Sequence, residues 1–175
     1  MRALVVYESM FGNTRKVALA IAEGIGTKMT VDTMEVGSAP AVLPPDVSLV
    51  VVGAPTHAHG LSTARTRTDA ARRVDGPLVS NGLGLREWLA SFRPGAGVIA
   101  AAFDTRIKGS TLFTGSAATS AGRLLRKTGF GRVEPPRSFV LEGVTGPLQD
   151  RISKGELDAA RAWGARLAIE VAAST

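Results

Sequence analysis

A chain of 175 residues, 45% hydrophobic and 21% charged, is of a size to form one domain around a substantial core. It has no cysteine, which excludes disulfides, thiolate nucleophiles, Cys-based zinc sites and iron–sulfur clusters, so any redox chemistry must come from a bound cofactor. The net charge of +6 admits nucleic acid, anionic membrane surfaces or acidic proteins as partners, but no basic stretch is interleaved with aromatics, which argues against nucleic acid.

Taken in chain order, Arg2–Glu8 reads as a buried strand, and its apolar run is too short for a signal peptide or a membrane span. No other segment approaches spanning length, so a cytoplasmic protein with no integral membrane segment is expected. Asn13 or Thr14 is placed to cap a helix running to about Ile25, with Val17, Ala18, Ile21, Ala22 and Ile25 at helical spacing and Gly24 and Gly26 as stop signals. Thr30–Glu35 alternates in polarity, as an edge strand does, and Gly37–Asp46 is a Pro-rich loop with at most a short helix. Ser48–Gly53 is the most apolar strand, suited to a position covered on both faces.

From Ala54 to Gly84 the chain shows little periodicity and much Arg, Thr and Gly, and is read as a long functional loop with at most one irregular helix. Leu85–Phe92 follows as a short helix, and Gly97–Phe103 as a strand ending at Asp104. Ser116–Lys127 is predicted to be a helix burying Ala117, Ala121, Leu124 and Leu125. Val133–Leu141 supplies the last strand, marked as an edge by Pro135 and Pro136. A final helix is expected from about Lys154 to Val171.

Strands alternating with helices imply a parallel sheet with right-handed crossovers in a single domain spanning residues 1–175. Ligands of such sheets sit beyond the carboxyl ends of the strands, so the informative residues should follow Glu8, Gly53 and Phe103. After the first strand comes Ser9-Met10-Phe11-Gly12-Asn13-Thr14, a loop that can aim hydroxyls and backbone N–H groups at one anion, with a helix N-terminus behind it. No G-x-G-x-x-G follows a strand, no Gly-Lys-Ser/Thr closes a P-loop and no G-x-S-x-G is present, which removes three other site types. Nor does the central strand end in an Asp that could accept a phosphoryl group, as a receiver domain requires; it ends Gly53-Ala54-Pro55.

The run from Val5 to Thr14 resembles the phosphate-binding signature of the flavodoxin-like family. With an aromatic at Phe11, it is closest to the form in the FMN domains of flavodiiron proteins and in flavodoxin-like quinone reductases. Pro55-Thr56-His57-Ala58-His59-Gly60 resembles the family's second loop, which lies along the isoalloxazine. Phe103-Asp104-Thr105-Arg106 resembles the third, which contacts the pyrimidine edge and the other ring face. The resemblance implies a doubly wound α/β fold with a five-stranded parallel sheet ordered 2-1-3-4-5 and helices on both faces. It also implies FMN as cofactor, held by Ser9, Met10, Phe11, Gly12, Asn13 and Thr14 at the phosphate and by the other two loops at the ring.

Several residues keep two readings. Phe103 either stacks on the ring or ends its strand in the core, and Gly115-Ser116-Ala117-Ala118 is read as a simple helix start. His57 and His59 are read as flavin contacts in preference to a metal pair, and the Arg-rich segment 63–73 is a solvated surface, or else a docking patch or an anionic-substrate clamp beside the flavin. The loops lack the Trp and Tyr that sandwich the ring in familiar flavodoxins, which implies a more open ring face. The function expected first is electron transfer with an acidic redox partner protein. An FMN-dependent NAD(P)H:quinone oxidoreductase is the alternative, and a flavodoxin-fold binding module without cofactor the third reading.

Overall fold

In the computed structural model, which describes residues 1–73, 76–94, 97–109, 115–143 and 148–174, the strands are β1 (Arg2–Tyr7), β2 (Thr30–Glu35), β3 (Val47–Pro55), β4 (Ile99–Ile107), β5 (Arg132–Val133) and β6 (Arg137–Leu141). The helices are α1 (Asn13–Gly26), α2 (Ala64–Ala71), α3 (Leu85–Ser91), α4 (Ala117–Thr128) and α5 (Glu156–Ala172). All strand pairs are parallel, in the order β2-β1-β3-β4, with β5 and β6 both lying on the far edge of β4. The Pro135-Pro136 pair, which can donate no ladder bonds, separates these two pieces of one edge position. No described helix is long and apolar enough to cross a membrane.

The strands' twofold alternation divides the core. Ala3, Val5 and Tyr7 of β1 and Leu49 and Val51 of β3 join α1 and α5 on one face. Leu4, Val6, Val50 and Val52 join α3 and α4 on the other. Because both faces are covered, β1 and β3 are apolar at nearly every position, which is what made them legible as buried strands.

Four expectations change. Gly24 does not stop α1 but lies inside it, against α5: a Cβ there would overlap the Arg161 carbonyl, and one on Gly164 would overlap that of Ile21. Gly12, in a left-handed conformation with φ of 91°, caps α1 with no side-chain bond, so neither Asn13 nor Thr14 serves as the cap. The strand expected to end at Asp104 continues to Ile107. Within the Ala54–Gly84 stretch, α2 is a regular helix held by a capping box: Thr63 Oγ accepts from Thr66 N–H at 3.3 Å and Thr66 Oγ from Thr63 N–H at 2.9 Å.

Candidate functional site

The carboxyl ends of β1, β3 and β4 open onto a cavity of about 390 Å³. At one end lies the turn from β1 into α1. No acceptor among the described residues takes the backbone N–H groups of Phe11, Gly12, Asn13 or Thr14, and the first helical bond runs from Lys16 N–H to the Gly12 carbonyl. These are the orphan donors of a helix N-terminus, gathered around one concavity. Ser9 Oγ accepts from Arg15 N–H at 3.3 Å, which leaves its own proton for a ligand. The Thr14 hydroxyl lies 2.7 Å from that of Thr105, joining α1 to β4 where the cavity floor passes between them.

The loop is braced from both sides. Val79 and Ser80 run alongside it: Ser80 N–H donates to the Ser9 carbonyl at 2.8 Å, Val79 N–H to that of Met10 at 3.1 Å, and Ser80 Oγ accepts from Ser9 N–H at 2.9 Å. Asn13 ties down the opposite flank, donating to the Leu148 carbonyl at 2.8 Å and accepting from Arg151 N–H at 3.0 Å. Lys16 pairs with Asp150 on the same flank.

The end of β3 forms a second rim. His57 and Gly60 exchange both backbone bonds at 2.8 Å, and Ala58 and His59 between them have φ of 40° and 76°, the arrangement of a tight hairpin turn. Thr56 is anchored from beneath by Asp104, whose Oδ2 accepts from Thr56 Oγ at 3.1 Å, Ser116 Oγ at 2.7 Å and Ala118 N–H at 3.0 Å. Ser116 caps α4, as the simple helix-start reading required. His57 lines the cavity and is held below its usual pKa by burial, then by the charges of Arg73 and Arg67.

A third group joins the rims. Glu8, fully buried, accepts from Ser62 Oγ at 2.5 Å and from Leu85 N–H at 2.8 Å. Arg67 donates to the same Ser62 hydroxyl at 2.9 Å and to both oxygens of Glu87 at 3.2 and 3.3 Å. Burial raises the Glu8 pKa above its ordinary value of 4.5, against the lowering by Ser62, Leu85 N–H and Arg67. The end of β1 is thereby tied to the starts of α2 and α3, and α2 becomes a wall of the cavity through Thr66, Asp69 and Ala70, with Arg73 just beyond its end.

The structure brings Ser9, Met10, Phe11, Asn13, Thr14, Pro55, Thr56, His57, Ala58, Thr105 and Arg106 together around this cavity. Gly12, His59, Gly60 and Asp104 shape or support the rims without lining it, His59 being exposed. Phe103 is corrected: it is fully buried, its ring lying against Gly53 and edge-on to Phe139 and Trp163. Strand parity turns it toward α1 and α5, which is the core reading and not the stacking one. Sequence reasoning missed Glu8, Ser80, and Leu141, Leu148 and Arg151 on the far side; it placed segment 63–73 beside the site as one alternative, without its regular helix. The signal of that helix was the Thr63 cap with Thr66 three residues on, since the helix buries only Ala70 and shows no apolar stripe.

Residues 5–81 match the sequence model of the flavodoxin family, a span from β1 to the Val79–Ser80 segment that braces the Ser9–Thr14 turn. A flavodoxin from the domain Archaea superposes with a TM-score of 0.63 at 21% identity, covering 98% of this chain and 99% of that one. The flavodoxin of Streptococcus pneumonia TIGR4 gives 0.62 at 18% identity, with full coverage of both chains at 100%. A WrbA-like flavodoxin protein from Agrobacterium tumefaciens gives 0.54 at 20% identity, covering 99% of each. No curated protein matches the chain.

Proposed function

We propose that this chain, a flavodoxin-like protein by its fold and by the match over residues 5–81, binds FMN and acts as a cytoplasmic electron-transfer protein. The observation that carries the reading is the set of unengaged N–H groups at Phe11–Thr14, with the Ser9 hydroxyl beside them, at one end of a cavity that continues between the Pro55–Ala58 rim and the end of β4. A dianionic phosphate satisfies orphan helix donors as no neutral group does. In this reading Ser9 and the amides of residues 11–14 hold the phosphate, the Thr14–Thr105 pair faces the ribityl chain, and Pro55–Ala58 with Thr105–Arg106 bound the ring. The flavin supplies reversible electron transfer, and the protein supplies binding, orientation and electrostatics.

An acidic redox partner protein suits the net charge of +6 and the exposed Arg65, Arg72 and Arg73 on and just after α2. A quinone reductase activity is the second reading, favoured by the cavity's extension along α2. An absorbance spectrum of the protein, taken after incubation with FMN and desalting, tests the proposal. Retained flavin bands, weakened in Ser9→Ala, are expected. A colourless protein would overturn FMN binding and leave the cofactor-free binding module.

A further inference from the structure

Between β6 and α5 the chain turns back along the cavity. Residues 151–153 run antiparallel to the end of β6: Glu142 N–H donates to the Arg151 carbonyl at 2.7 Å, Ser153 N–H to that of Val140 at 3.0 Å, and Leu141 bridges to Ile152. The other side of this return is gripped by α1. Asn13, buried in the first turn, uses both ends of its amide on it, donating to the Leu148 carbonyl at 2.8 Å and accepting from Arg151 N–H at 3.0 Å. Lys16, one turn further along α1, pairs with Asp150 between them. Residues 148–153 therefore reach from the sheet edge to the start of α1 and are fixed on both sides. Along that path Leu148 and Arg151 line the cavity, as do Asn13 and Thr14 of the turn that carries the unengaged N–H groups. Neither Leu148 nor Arg151 belongs to the three loops attributed to FMN.

We propose that residues 148–151 form a fourth element of the cofactor site, a wall along its phosphate and ribityl end, and that Asn13 is the positioning residue that latches it. A tight site encloses most of its ligand's surface. The loops at the ring end carry neither Trp nor Tyr, so more of that enclosure falls to the other end. An amide side chain at the first helical position can grip a neighbouring segment while the backbone N–H groups stay turned to an anion. The latch bonds are made within the protein alone, so the wall stands before the cofactor arrives and binding does not have to order it. The inference rests on the reading that FMN occupies the cavity with its phosphate at the Phe11–Thr14 amides.

The test follows FMN release from FMN-incubated protein by flavin fluorescence, and backbone amide exchange by NMR with and without FMN. Asn13→Ala removes both latch bonds and keeps the backbone N–H of residue 13; it is expected to release FMN roughly tenfold faster. Leu148→Ala trims the wall and leaves its carbonyl bond to Asn13 in place; it is expected to release FMN about threefold faster. In the unsubstituted protein, FMN is expected to slow exchange of the Arg151 N–H more than that of the Glu134 N–H, which is bonded to the Ala100 carbonyl outside the cavity lining. Unchanged release from Leu148→Ala overturns the wall, because faster release from Asn13→Ala alone belongs to the phosphate turn. Equal effects of FMN on the Arg151 and Glu134 amides overturn it as well. Both readings hold even if Asn13→Ala does not fold. A protein that retains no FMN overturns the function proposed above together with this inference, whereas retained FMN with either negative result overturns this inference alone.

Discussion

Ala58 and His59 both adopt positive φ without being glycine, next to the cavity. Left-handed backbone at such residues costs of order 1 kcal/mol each, and tight hairpin turns favour Asn-Gly at these two positions. The paired Ala58→Asn and His59→Gly substitution should therefore stabilise the protein by about 1 kcal/mol, seen as a higher denaturant midpoint. No gain would mean that the turn is not strained. Glu8 makes the opposite kind of residue-level demand. Its folded pKa is raised by burial above 4.5, so the folded protein keeps this proton where the unfolded chain has lost it. The stability associated with it is fully present below that value and declines as pH rises through the folded pKa. Glu87, whose pKa is lowered because the bond and charge of Arg67 outweigh the effect of burial, contributes a slope of the opposite sign and must be kept in the comparison. Glu8→Gln should remove the Glu8 slope while leaving that of Glu87. Wild type and variant with parallel stability–pH curves would show that Glu8 does not titrate differently on folding.

At the scale of elements, α1 and α5 approach so closely that backbone of each fills the space of a side chain at Gly164 and Gly24. Gly164→Ala should cost about 1–3 kcal/mol by overpacking, although alanine is the better helix former. The expected signature is a lower urea midpoint at unchanged slope, and a neutral substitution would show that the two helices can separate at no cost. This pair also shows where sequence reading stops. The strands β1 and β3 and the helices α1, α4 and α5 were legible because apolar runs and helical stripes follow from burial on a sheet. Gly24 was misread as a stop because local signals cannot register a helix packed on it from 140 residues away, where Gly164 lies. The α2 helix was missed for the opposite reason: Ala70 is its one buried residue, so it lacks an apolar stripe and stands on its cap. The Ser9–Thr14 turn and the rims at Pro55–Ala58 and Thr105–Arg106 were legible from residue types at strand ends. Phe103 was ambiguous because strand parity relative to the site is set by the tertiary fold. Ser80 and Glu8 were invisible because each acts across more than 70 residues of sequence, Ser80 on Ser9 and Glu8 on Leu85.

At the scale of the whole molecule, the +6 charge bears on the redox chemistry proposed for the site. Full reduction makes the flavin ring anionic, and a positive surround stabilises that form over the oxidised one, which raises the midpoint potential. Each 1.4 kcal/mol of such stabilisation corresponds to about 30 mV for a two-electron couple, or about 59 mV for one electron. Arg106 lines the cavity half-buried, whereas Arg65, Arg72 and Arg73 are exposed on and just after α2, so part of the field is sheltered and part is open to screening by salt. A redox titration of the FMN-loaded protein should give a less negative midpoint than an acidic flavodoxin measured in parallel. That midpoint should fall by tens of millivolts between low and high ionic strength as the exposed arginines are screened. A midpoint as low as that of the acidic protein removes the electrostatic argument altogether. One that is high but indifferent to salt would assign the effect to the half-buried Arg106 in the cavity lining, and Arg106→Gln should then lower it.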